Sequence, residues 1–534
     1  ADMSHTRMFN EYFPPYKAAV DAGAASVMTS FNTVDYIPAT GNKWLMTTVL
    51  RDMWGFKGFV VTDYTAISEM IAHGMGDLQT VSALALNAGT DMDMVADGFL
   101  GTIEKSLNEG KVSMATIDAA CRRILEAKYK LGLFDDPYRY FDSKRAKTEI
   151  YTDEHRAAAR KLATETFVLL ENSENILPLA KKGKIALVGP LADTRTNMPG
   201  TWSVAAAMDK YKTVREAMTE AVKGKAEVLY AKGCNVCYDS IMEKNSTMFG
   251  REMRDNRDAD VMRAEAVKIA QEADVVVACI GEPSEMTGES SCTNLEILDA
   301  QKDLLTALKA TGKPIVLLNF SGRATVMNWE KENFSTILNV WFGGSETGDA
   351  ICDVVFGDVA PSGHLSVTMP KSVGQIPIYY SHLNTGRPNK TWFTKFTSNY
   401  LDIDNAPLYP FGYGKSYTTF QYGAPTISGT TMNQDGSLTV SVEVSNTGNY
   451  DGAEVVQLYI RDLVGKIARP VSELKDFKRI FLKKGESQVV NFTITADKLK
   501  FYDNELNYIC EPGEFDVMVG PNSRDVQKLS FTLQ

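Results

Sequence analysis

Short apolar runs alternate with amphipathic stretches through the first 145 or so residues. FNEYFPPYKAAVDAG reads as a helix leading to the strand ASVMTSF, and NKWLMTTVLRDMWG reads as a second helix leading to the strand FVVTD. A helix ending near Ala88-Gly89 precedes a short strand TDMDM, and two more helices follow. The last of these, SMATIDAACRRILEAKYKLG, places Ser113 at an N-cap and Gly132 just past the C-terminus. Strands separated by helices predict a parallel sheet. Three strands cannot close an eight-stranded barrel and leave open edges, so region 1–145 is expected to be a portion of such a barrel.

Asp135-Asp136-Pro137 marks a polar linker, after which a helix is predicted through HRAAARKLATETFVLLEN. It opens a second α/β region, about 150–415, whose strands are KIALVG, AEVLYA, DVVVACIG, PIVLLNF and TILNVWF. Their continuous apolar character predicts a sheet covered by helices on both faces. From about 424 the period changes to two. SLTVSVEVSNTG, AEVVQLYIRD, SQVVNFTIT and GEFDVMVG predict a small antiparallel sandwich over 424–534.

Composition narrows the function classes. The 534 residues are 44% apolar and 23% charged, an ordinary globular balance. A formal charge of −11 argues against nucleic acid and anionic membrane surfaces, which need a basic face. No run of about 18 apolar residues is present to span a bilayer. Cys234 and Cys237 form one C-x-x-C, but the five histidines are too far apart in sequence to complete a zinc site. A local disulfide and two plain thiols both remain open for the pair. PFGYGKS lacks the leading glycine of a phosphate loop, since Tyr409 stands there. His73 and His155 have no nucleophile context nearby that would make a triad.

Carboxylates carry the remaining chemistry. Asp63 ends the apolar run GFVVT just before a new helix, where parallel α/β folds present catalytic acids. It could equally cap that helix. Asp91 and Asp93, after the next strand, compete on the same grounds. In the second region GEPSEMTGESSCTNLEI follows the strand DVVVACIG and holds Glu282, Glu285 and Glu289. Loops at the carboxyl ends of parallel strands form ligand sites. A solvated acidic loop is the plainer reading.

LRDMWGFKGFVVTDYTAISEM, YIPATGNKWL, SEMTGESS, GQIPIYYSHLNTGRP, PLYPFGYGKSYTTF and ARPVSELKDFKRIFLKKGES together resemble glycoside hydrolase family 3, in order and over nearly the whole chain. The resemblance implies an α/β multidomain fold: the C-terminal part of a (β/α)8 barrel, an α/β sandwich, then a fibronectin type III-like sandwich. It implies a retaining exo-β-glycosidase with two carboxyl groups about 5–5.5 Å apart. Asp63 matches the family nucleophile and Glu289 the acid/base, with Glu285 as fallback; Asp91 and Asp93 become structural. The acid/base pKa must be raised towards neutrality for the first step. Met28, Phe31 and Tyr64 match positions that line the sugar site, where an aromatic face suits a pyranose; core packing is the alternative for all three.

The chain also departs from the family. Cys292 and Leu298 stand where an Arg and a Pro are expected, and the loop is slightly shorter. Earlier strands that carry an Asp, an Arg and a Lys-His pair in relatives have no counterpart, which makes an upstream segment an expected partner. No cofactor or metal is implied. The resemblance implies a β-glucoside or other β-glycoside substrate, periplasmic or secreted localisation, and a homodimer as one assembly open to the chain. A β-xylosidase with the same machinery, and a non-catalytic carbohydrate-binding fragment, are the alternative functions.

Overall fold

The computed structural model describes residues 2–203, 206–246, 254–288, 291–388 and 395–534. Two units result: Ala1–Glu149 with Lys500–Ile509, and Ile150–Leu499 with Cys510–Gln534.

In the first unit the strands β1 (Ser26–Met28) and β2 (Phe59–Val61) pair in parallel, Met28 against Val61. Met92 adds a single parallel bridge to Val61. This corrects the expected strand TDMDM, which is no more than that bridge. The reason lies in its flanking aspartates, whose side chains are committed elsewhere. Asp91 is buried and receives Arg51 Nη2 at 2.6 Å, Arg123 Nη1 at 2.6 Å and the Val60 amide at 2.8 Å. Arg51 also donates to the carbonyls of Gly58 and Gly89. It therefore ties the entry of β2 to the end of the helix Leu78–Ala88. Burial lowers the Arg51 pKa while the Asp91 charge opposes that shift. Asp93 caps the helix Gly98–Asn108, accepting from the amides of Ala96, Gly98 and Phe99.

One face of the strand pair is covered by the π-wound helix Trp44–Met53, through Met46, Leu50, Val27 and Val60. The helix Met114–Lys130 starts at Ser113, whose hydroxyl caps Thr116 N, and ends before Gly132 at φ +70°. Residues 500–509 belong to this unit as a hairpin. Asn10 pairs with it as a strand would, donating to Tyr502 O at 2.9 Å and accepting from Tyr502 N at 2.8 Å.

In the second unit the six-stranded sheet comprises β3 (Val168–Asn172), β4 (Gly183–Val188), β5 (Ala226–Ala231), β6 (Val275–Gly281), β7 (Ile315–Phe320) and β8 (Thr336–Asn339). Its order is β3-β8-β7-β6-β4-β5, parallel except for β3. The predicted helix through residue 172 is corrected here. It ends at Thr166, and FVLLEN turns into antiparallel β3. Phe167, Val168, Leu169 and Leu170 are all fully buried, a run with no polar face to offer a helix. Cys234 and Cys237 are buried free thiols, and burial pushes them up to about 12 and about 11.

Beyond this sheet, β9 (Phe420–Tyr422), β10 (Thr426–Ile427), β12 (Ser437–Asn446) and β15 (Ser487–Thr495) face a second sheet. That sheet has the order β11 (Thr431–Met432), β17 (Gln527–Leu533), β16 (Gly513–Gly520), β13 (Gly452–Asp462) and β14 (Glu473–Leu482). Leu438, Val440, Val442 and Val444 alternate inward along β12, as the period-two pattern predicts. β14 and β17 escaped the sequence reading, β14 because Lys475, Asp476, Lys478 and Arg479 interrupt its alternation.

Two predictions follow from these packings. Asp91→Asn strands two guanidinium groups and should cost about 3–5 kcal/mol, read as a lower urea midpoint and faster proteolysis within residues 1–149; Asp93→Ala, losing only a cap, should cost about 1 kcal/mol. Glu330, on the helix Asn328–Asn333, is buried, and desolvation raises it from 4.5 to about 7. The folded state thus holds the extra proton, and stability is lost as pH rises from 4.5 towards about 7. Glu330→Gln should leave stability unchanged at pH about 4 and raise it by about 3 kcal/mol at pH about 8. Equal unfolding free-energy differences at the two pH values would reject this account.

Candidate active site

β2 delivers Asp63 two residues past its end. By strand alternation Asp63 shares the side of Val61, away from the helix-covered face that buries Val60. Thr62, fully buried, fixes the exit: its amide donates to Met92 O and its hydroxyl accepts from Met94 N. Thr65 then donates to Met94 O and takes φ +62°, a left-handed conformation seldom adopted by a β-branched residue. Val95 and Asp97 are also left-handed, at +68° and +57°. Strained backbone therefore clusters around the ends of β2 and its neighbour, as at many functional sites.

Hydrogen bonding separates the three aspartates. Both oxygens of Asp91 are taken by guanidinium groups, and both of Asp93 by backbone amides. Asp63 is half-buried, and among the described residues its Oδ1 accepts from the amide of Tyr64, at 2.6 Å. Its Oδ2 has no hydrogen-bond partner among the described residues. A carboxylate with one oxygen committed and one open can both hold its orientation and attack.

Met28 ends β1 with its side chain 52% exposed, level with Val61, so it stands beside the exit towards Asp63. Met92, bridged to Val61 on the other flank, is 46% exposed and was missed in the sequence. Met28 and Met92 thus flank Val61 on either side as an exposed apolar collar two residues before Asp63. Phe31 is half-buried three residues past β1, and Tyr64 is exposed beside Asp63.

In the second unit the strand order reverses between β4 and β6: the chain passes from β4 to β5 on one side and returns to β6 on the other. Ligands in open α/β sheets bind outside such a reversal, at the carboxyl ends of the strands. The loops after β4 and β6 meet there. Gly189 and Gly281 end the two strands at φ +110° and +116°. A Cβ at either would lie within 2.1 Å of a neighbouring strand's carbonyl oxygen, so both positions require glycine. Ser284 O accepts from Thr201 Oγ1, and Ser284 Oγ donates to Thr196 O.

Within the β6 loop Glu282 is buried and paired with Arg323. Glu285 lies half-buried in the single turn Ser284–Met286. Glu289 lies outside the described residues; on either side of it in the chain, Thr287 and Ser291 form an antiparallel bridge. Trp202, on the β4 loop, was also missed in the sequence: it is 63% exposed and left-handed at φ +65°. An indole held out in strained backbone at a strand-order reversal presents a flat apolar face to whatever enters.

Comparison with known proteins agrees along the whole chain. Residues 1–127 match the glycosyl hydrolase family 3 N terminal domain, 167–417 the glycosyl hydrolase family 3 C-terminal domain, and 454–523 a fibronectin type III-like domain. The chain is 46% identical to a periplasmic beta-glucosidase of Salmonella typhimurium over its full length, covering 70% of that protein. It is 36% identical to a beta-xylosidase of Formosa agariphila, again over its full length and 73% of the relative. The crystal structure of a beta-glucosidase from Listeria innocua in complex with isofagomine superposes with a TM-score of 0.91 at 36% identity, covering all of this chain and 72% of that one. With the fold, the strand-end aspartate and this likeness in agreement, the chain belongs to glycoside hydrolase family 3.

Proposed function

We propose that the protein is a retaining exo-β-glucosidase, with residues 1–145 presenting the nucleophile Asp63 and residues 150–415 the acid/base Glu289. The observation that carries the nucleophile is the hydrogen-bond contrast: Asp63 has an open oxygen where Asp91 and Asp93 have none. In the first half-reaction an Asp63 oxygen attacks the anomeric carbon while the Glu289 proton passes to the departing glycosidic oxygen. In the second, Glu289 takes a proton from water, whose oxygen displaces Asp63 and releases the sugar. One water is consumed, and each carboxyl group returns to its starting state.

Met28, Phe31 and Tyr64 would bound the sugar held at Asp63, with Met92 closing the far side of the collar. Glucose is the preferred sugar because the relative at 46% identity is named a beta-glucosidase. The Formosa agariphila relative favours a β-xylosidase as the second reading. We place the protein in the periplasm on the name of the Salmonella relative; among the described residues no helix is long and apolar enough to cross a membrane.

Turnover of p-nitrophenyl β-glucoside should exceed that of the β-xyloside, and the reverse ranking would install the second reading. Asp63→Ala should lower turnover roughly ten-thousandfold, whereas near wild-type rates would remove Asp63 from the mechanism.

A further inference from the structure

β2 lies between β1 on one side and the bridge at Met92 on the other, and both ladders stop at its exit. Thr29 N donates to Val61 O at 2.9 Å, and Thr62 N to Met92 O at 3.0 Å. Regular parallel pairing would next join Asp63 N to the β1 side and Met94 N to the Thr62 carbonyl. Neither bond is made: among the described residues Asp63 N has no acceptor and Thr62 O no donor. Met94 N donates instead to Thr62 Oγ1, at 2.8 Å. The hydroxyl has taken the place of its own carbonyl, a side-chain bond that competes with the ladder and releases the main chain from the sheet.

The chain is caught again at Thr65, left-handed at φ +62°, whose amide donates to Met94 O at 2.9 Å. One residue thus holds both ends of the excursion, Met94 through its amide at Thr62 and its carbonyl at Thr65. Ser68 Oγ and Glu69 N donate to the Thr65 carbonyl at 2.9 and 3.1 Å, which ties the second end to the following helix. Asp63 and Tyr64 alone lie between the two pins, with the Tyr64 amide on Asp63 Oδ1. Thr62 is fully buried, so water does not replace its hydroxyl as the acceptor. Valine has the same shape without that acceptor. It would leave the Met94 amide to return to the carbonyl of residue 62, which draws Asp63 back towards the sheet.

We propose that Thr62 is a positioning residue for the nucleophile: its hydroxyl diverts the Met94 amide from the Thr62 carbonyl and so holds Asp63 clear of the sheet for attack. This rests on the nucleophile reading of Asp63 given above. Displacing a reacting group by about 1 Å costs about a hundredfold in rate. The bound sugar itself is held by other contacts, so its affinity does not fall with the rate. A residue that served only stability would lower both together.

The test measures kcat/KM of the full chain on p-nitrophenyl β-glucoside and the inhibition constant of glucose, for wild type, Thr62→Val, Thr62→Ser and Asp63→Ala. Thr62→Val should lose about a hundredfold in kcat/KM and keep the glucose constant within about twofold. Thr62→Ser keeps the acceptor and should stay within about fivefold of wild type on both readouts. Where Thr62→Val does not fold, Thr62→Cys, a weak sulfur acceptor of similar size, takes its place with the same expectation. A folded Val or Cys variant with wild-type kcat/KM overturns the positioning role. So does a Thr62→Ser enzyme that loses as much as Thr62→Val, or a loss of glucose affinity in step with the rate. In each of those cases an inactive Asp63→Ala leaves the nucleophile reading standing. Wild-type turnover by Asp63→Ala overturns that reading and this proposal with it.

Discussion

The exit of β2, and with it Asp63, depends on a buried carboxylate further along the chain. Asp91 sits in the first unit with two guanidinium groups and the Val60 amide around it. Leaving water costs such a charge several kcal/mol, and only near-complete coordination offsets that cost. The geometry supplies it: two contacts at 2.6 Å and one at 2.8 Å saturate the group. Because the donors come from the helix Trp44–Met53, the helix Met114–Lys130 and β2 itself, one anion sets three elements in register. Without Asp91 both guanidinium charges lose their carboxylate, although Arg51 keeps the carbonyls of Gly58 and Gly89.

The second unit uses the same chemistry at a different place. Glu282 is also buried and also bound by a guanidinium group, and it stands immediately after the parallel strand β6. In both units an acid beside the sheet is consumed as a bracket, and in the first unit Asp63 nearby keeps one oxygen open among the described residues. Placing a bracket beside a reactive group has a clear physical sense. A nucleophile must keep a lone pair uncommitted and so cannot fix its own loop. Another charged group, fully paired, has to do so.

Much of this was legible in the chain. Continuous apolar runs gave the parallel strands β4 to β8, and alternation gave β12, β13, β15 and β16, because one side or both sides of each strand are buried. β3 misled because FVLLEN continues a good helical sequence without a break, and only its complete burial beside β8 decides for a strand. TDMDM misled in the other direction, since its alternation reflects two structural aspartates and not a sheet face. Ser113 and Gly132 marked their helix correctly because capping is local chemistry, readable without tertiary contacts.

The site was legible only in part, and the division has a physical cause. Carboxylates at strand ends are visible in sequence, but their hydrogen-bond saturation is not, because the saturating groups come from distant segments: Arg51 and Arg123 for Asp91, Arg323 for Glu282. Met92 and Trp202 look like core residues until their exposure is known, since hydrophobicity in sequence carries no sign of direction. Strain was hidden for the same reason. Thr65, Val95 and Trp202 are ordinary letters whose left-handed backbone is imposed by neighbours. What separates a reactive acid from a structural one is thus the set of donors left over after folding, a property of the packed molecule that no short motif encodes.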